Sequence, residues 1–108
     1  MKTSELTGAA LDWAVAKCEG KDAIVRAPYK YLFEPSTDWS RAGPIIERER
    51  IGFKYTGKAL EFVAWVNGEL STKHDQYGPT PLIAAMRCYV ASKLGDDVEI
   101  PEELMEQA

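Results

Sequence analysis

The chain is poor in the residues that most often carry chemistry, with one histidine and two cysteines in 108 residues. A single histidine, His74, leaves no paired-histidine metal site, and its neighbour Asp75 is not a triad partner without a nucleophile placed against the pair. His74 and Asp75 therefore read as a solvent-exposed loop. Cys18 and Cys88 both fall on or beside apolar faces of predicted helices, which suits buried reduced thiols and not a secreted disulfide framework. P-loop, dinucleotide glycine fingerprint, zinc spacing and nucleophile elbow are all missing, as are internal repeats and low-complexity runs. On these grounds no catalytic residue, metal or cofactor is expected, and an enzyme ranks last among the function classes. No apolar run approaches the ~20 residues of a membrane span. The start MKTSELTGAALDW lacks the basic segment and apolar core of a secretory signal, so a cytoplasmic protein without membrane contact is expected.

Charge is also unevenly spread. Residues 96–108 hold six acids and no lysine or arginine, while the rest of the chain holds 13 basic residues against 11 acids, a net +2. Such a weakly basic body is compatible with a small anionic ligand but lacks the clustered lysine and arginine of a nucleic-acid surface, which disfavours direct nucleic-acid binding. The acidic segment reads as a solvated tail, or as a screen or contact surface for a partner.

What the sequence does contain is well-punctuated local structure. GPTPLIAAMRCYVASKLG, residues 78–95, carries a cap at Thr80, a proline at the first helical position and a glycine after the last turn. Ile83, Met86, Val90 and Leu94 form its buried stripe, widened by Leu82 and Tyr89, with Arg87 near the rim. A first helix is predicted over residues 7–18, with Leu11, Ala14, Val15 and Cys18 on one side and Gly20 as its stop. Residues 23–27 are rich enough in β-branched side chains for a strand, followed by an aromatic group of Tyr29, Tyr31, Leu32 and Phe33. Residues 51–55 and 60–66 predict an antiparallel pair turning at Gly57-Lys58 and ending at Asn67-Gly68, and residues 69–80 a long polar connection. Residues 98–100 read as a short edge strand and Pro101 as the start of a terminal turn. The expected fold is α+β: one domain over residues 1–108, with an antiparallel sheet of three to four strands and the two main helices on one face.

Candidate ligand-binding residues sit in three turns. EPSTDWSRAG is the most turn-like stretch, and within it Trp39 offers a flat face while Ser36, Thr37 and Asp38 offer donors and acceptors; Trp39 equally suits an anchor to the core. In GPIIERER, Pro44 after Gly43 reads as the first residue of a short helix. Glu47, Arg48, Glu49 and Arg50 there read as a solvated turn without ion pairs between sequence neighbours, or as a source of Arg48 for a ribose or phosphate. Gly78 and Thr80 open the last main helix, whose free N–H groups form an anion site if a ligand reaches them. The candidate set is Asp38, Trp39, Gly43, Arg48, Gly78 and Thr80.

LTGAALDWAVAKCEG, STDWSRAGPIIERE and GPTPLIAAMRCYVASKLGDDVEIPEEL, in that order, resemble the phage NinX-like proteins, small products of the nin region of lambda-like phages and related prophages. The resemblance covers nearly the whole chain and implies a phage accessory protein acting in the infected bacterial cytoplasm. It transfers no catalytic residue. The expected function is non-enzymatic binding of a small nucleotide-like ligand or immune signal; the alternative is a protein-interaction factor that modulates host or phage replication, recombination or transcription. A homodimer would be a natural way for so small a domain to complete a shallow pocket.

Overall fold

The computed structural model describes residues 1–21, 33–68 and 74–105, with the side chains of residues 103 and 105 left aside. A 3-10 turn at Thr3–Glu5 leads into helix α1 (Gly8–Cys18), and helix α2 (Trp39–Glu49) precedes strands β1 (Gly52–Tyr55), β2 (Phe62–Trp65) and β3 (Gln76–Gly78). Helix α3 (Pro81–Leu94) and the one-turn helix α4 (Glu102–Met105) complete the described elements. The predicted strand at residues 23–27, and Tyr29, Tyr31 and Leu32, lie outside the described residues.

The three strands form an antiparallel sheet in sequence order. Phe53 pairs with Ala64 and Tyr55 with Phe62 across the first ladder, and Phe62 pairs with Gly78 across the second. Because side chains alternate along a strand, Phe53, Phe62, Ala64, Gln76 and Gly78 share one face, and Lys54, Val63, Trp65 and Tyr77 share the other. The first face meets α3: a Cβ on Gly78 would stand 2.8 Å from the backbone nitrogen of Ala84. The predicted hairpin is present, with Gly57 at φ 98° and Thr56 N–H donating to the Glu61 carbonyl at 3.1 Å. The predicted stop at Asn67-Gly68 is also present. Both residues take positive φ, and their N–H groups donate to the carbonyls of Glu49 and Arg50, tying the end of β2 to the end of α2.

Helix α3 lies against all three strands, and α1 packs on α3 instead of directly on the sheet. The caps are those read from the sequence: the Thr80 hydroxyl accepts from Ile83 N–H at 3.1 Å, Pro81 opens the helix and Gly95 follows it at φ 88°. Its burial, however, is not one-sided. Residues 84–91 are all buried, because sheet, α1, α2 and the N-terminal turn surround the helix. Arg87 is accordingly not at a rim: it is 9% exposed, and its guanidinium donates to the carbonyls of Leu6 at 2.8 Å and Tyr77 at 2.7 Å. Cys88 is buried and Cys18 half-buried, both free, and burial pushes each thiol up to about 12.

Three other boundaries differ from expectation. Helix α2 starts at Trp39, not at Pro44, because Asp38 is the effective cap and accepts from Ser40 N–H at 3.0 Å and Ser40 O–H at 2.7 Å. Pro44 sits inside the helix and leaves the Ser40 carbonyl without its usual N–H partner. Within the polar connection of residues 69–80, Gln76–Gly78 pairs as β3, although a three-residue strand containing glycine shows little alternation. Val98 to Ile100 form no strand of the sheet. A single bridge joins Lys2 to Asp97, reinforced by reciprocal Met1–Val98 hydrogen bonds at 2.9 Å. Val98 and Ile100 are buried while Asp96, Asp97 and Glu99 are exposed, so this part of the acidic segment is no loose tail.

Candidate functional site

The start of α3 and the start of α2 meet at one groove. Ser36, Thr37, Trp39, Thr80, Pro81 and Leu82 line a space of about 270 Å³. Two turns far apart in sequence are thus brought together, and with them two helix N-termini, each carrying a partial positive charge. Trp39 is 54% exposed and rests on Phe53 with ring centroids 5.9 Å apart, so the indole is both anchored and open to a ligand.

The floor of the groove is set from behind by α1. Asp12, buried in that helix, accepts from Ser36 N–H at 2.9 Å and so fixes the turn that presents the serine. Desolvation pushes the Asp12 carboxyl up to about 6 against the lowering effect of its contacts with Ser36, and the nearby charge of Glu34 adds to the rise. The Ser36 hydroxyl lies beside the same carboxyl without hydrogen-bonding geometry. It is 3% exposed by residue and has no hydrogen-bond partner among the described residues. A buried hydroxyl without a partner is costly, and its residue borders the groove.

The remaining candidate residues are spread out. Asp38 lies between Thr37 and Trp39 in the chain and is held below the usual carboxylate range by Ser40, so its oxygen is committed to capping α2. Gly43 is one turn further along α2, with open space around it and no place in the groove. Gly78 lies two residues before Thr80 and packs beneath α3. Arg48 is at the far end of α2, where it bonds Glu19 at 2.6 Å, Glu49 at 2.9 Å and the Tyr89 hydroxyl at 3.0 Å. The expected absence of ion pairs between sequence neighbours fails here, since the long Arg48 and Glu49 side chains reach each other along the helix surface. Lys93 adds a second cation to Glu49 at 3.4 Å, and hydrogen bonds to Glu19 and Glu49 hold the Arg48 guanidinium above its ordinary range.

Sequence reasoning missed Asp12 as a supporting residue and Pro81 and Leu82 as groove wall. The signal for Asp12 was visible: an acid inside the apolar run ALDWAVA is unusual unless something receives it.

The model of the family described as Bacteriophage P22, NinX matches residues 2–93. The chain belongs to the NinX family. It is therefore a phage accessory protein, and the groove residues and the Arg48 cluster all lie within the matched span. No curated protein matches the chain significantly. Among the described residues no helix is long and apolar enough to cross a membrane.

Proposed function

We propose that this NinX protein is a non-enzymatic binding protein that takes a small nucleotide-like ligand, such as an immune signal, in the host cytoplasm. The observation that carries this reading is the groove itself, where an exposed indole, the buried Ser36 hydroxyl and two helix N-termini converge. A planar ring stacks on Trp39, Ser36 and Thr37 donate to or accept from its polar edge, and the helix starts favour a negative charge on the ligand. The six lining residues include no titratable side chain, which favours holding a ligand over acid-base chemistry.

Isothermal titration with a panel of nucleotides and cyclic signalling molecules gives heat with at least one member, and Trp39→Ala abolishes it while leaving the fold intact. Silence across the panel, with Trp39→Ala indistinguishable from wild type in phage assays, sinks the proposal.

A second reading, a protein-interaction factor acting on host or phage replication, recombination or transcription, is favoured by one observation. Asp96, Asp97, Glu99 and Glu102 are all exposed along a segment held in place by the burial of Val98 and Ile100. Neutralising Asp96, Glu99 and Glu102 to their amides separates the two: loss of a captured host protein with unchanged ligand heat supports this second reading.

A further inference from the structure

Gly78 and Pro79, which precede the groove's Thr80 and Pro81 in the chain, line a larger cleft that shares no lining residue with the groove. It has a volume of about 500 Å³, and its walls include Ser4 of the N-terminal turn, Lys58 of the hairpin loop, Gly78 and Pro79, and Arg87 of α3. Arg87 is the unusual member. An arginine only 9% exposed is ordinarily paired with a carboxylate, because an uncompensated charge held largely away from water is expensive. Among the described residues Arg87 has no such partner. Its two hydrogen bonds go to neutral carbonyls, those of Leu6 and Tyr77, which orient the group without neutralising it. Burial alone accounts for the downward shift of its pKa, with no carboxylate acting in the opposite sense.

The acids that share the cleft do not supply the missing charge. Glu61 accepts the Thr56 hydroxyl at 2.7 Å, and neither it nor Asp75 forms an ion pair with Arg87 among the described residues. A guanidinium has five N–H donors in a planar fork, and the two carbonyls engage only Nε and Nη1. Lys58 is exposed on the hairpin loop and brings a second cation to the same space.

We infer that this cleft is an oxyanion site, in which Arg87 and Lys58 hold a phosphate group with the Ser4 hydroxyl at the rim. The phosphate is either free or the monoester end of a small sugar phosphate, whose hydroxyls would find an acceptor in Glu61. The site is separate from the Trp39 groove and does not depend on it.

The test uses the intact protein labelled with ¹⁵N and follows the Arg87 Nε–H signal, because substituting so deeply buried an arginine threatens the fold. Inorganic phosphate, added at constant ionic strength against chloride, shifts that signal saturably. Lys58→Glu, on the exposed loop, weakens the response about tenfold, the loss expected for one charge-assisted contact. Trp39→Ala leaves it unchanged. Ribose 5-phosphate that binds more tightly than phosphate identifies the monoester as the better ligand; equal affinity identifies the free ion. An Arg87 signal that phosphate does not move, a Lys58→Glu protein that titrates like wild type, or loss of the response in Trp39→Ala each overturns the assignment.

Discussion

At Asp12 the protein holds a carboxyl in an environment that favours its neutral form. The proton affinity rises from an ordinary 3.8 to about 6 on folding, chiefly through desolvation. Between those values the folded state binds the proton more tightly than the unfolded chain, so stability falls as pH rises through that window and stays reduced above it. The shift corresponds to about 3 kcal/mol. Asp12→Asn keeps an oxygen for Ser36 N–H and cannot ionise. Its stability relative to wild type should therefore increase from pH 4 to pH 7 by about 2–3 kcal/mol, read by urea unfolding at a series of pH values. Ser36→Ala has a different signature. Removing a buried hydroxyl that lacks a partner leaves the free protein as stable as before or more stable by up to about 1 kcal/mol, while ligand heat in the groove falls. A hydroxyl serving only the fold would show the loss in melting temperature instead.

Elements were legible where the chain states its own boundaries. Helix α3 was readable because Thr80, Pro81 and Gly95 each have a local reason to be where they are, and the hairpin because Gly57 and Asn67-Gly68 supply positive φ. Helix α2 was read short because two start signals compete: Pro44 suits a first position, but Asp38 followed by Ser40 makes the cap that forms. Strand β3 was invisible because its pairing is decided by the sheet and by contact with α3, not by its own three residues. The junction of these two elements is tight. Gly78→Ala would put a methyl group 2.8 Å from the Ala84 nitrogen and 3.0 Å from Ile83 Cγ2, and should cost about 1–3 kcal/mol in chemical denaturation. Of the site, the chemistry of Trp39 and Thr80 was legible one residue at a time. Their sharing of a groove is a tertiary fact, and so is the burial of Arg87, whose helix is covered on sides that a single apolar stripe does not reveal.

At the scale of the whole molecule, the acidic segment is part of the fold that the groove depends on. Thr3 donates to the carbonyls of Gly95 and Asp96, Met1 and Val98 exchange hydrogen bonds, and Val98 and Ile100 enter the core. Cutting the chain after Gly95 should cost about 3–6 kcal/mol, from two buried side chains at about 1.5–3 kcal/mol each, and lower the melting temperature sharply. Neutralising the exposed acids should leave the melting temperature nearly unchanged. A partner that is lost on truncation but kept on neutralisation is thus reading the fold and not the charge.

Helix α3 touches the sheet, α1, α2 and the N-terminal turn, so none of these can detach without uncovering it. The middle of the helix, residues 84–91, is buried throughout. In deuterated buffer the backbone amides of residues 86–90 should exchange last and together, at a rate set by global opening, while the amides around Gly57 exchange early. The central helix would then act as a built-in gauge of unfolding free energy: a ligand that binds only the native protein should slow exchange there by the same factor as its binding equilibrium, whichever of the two hollows it occupies.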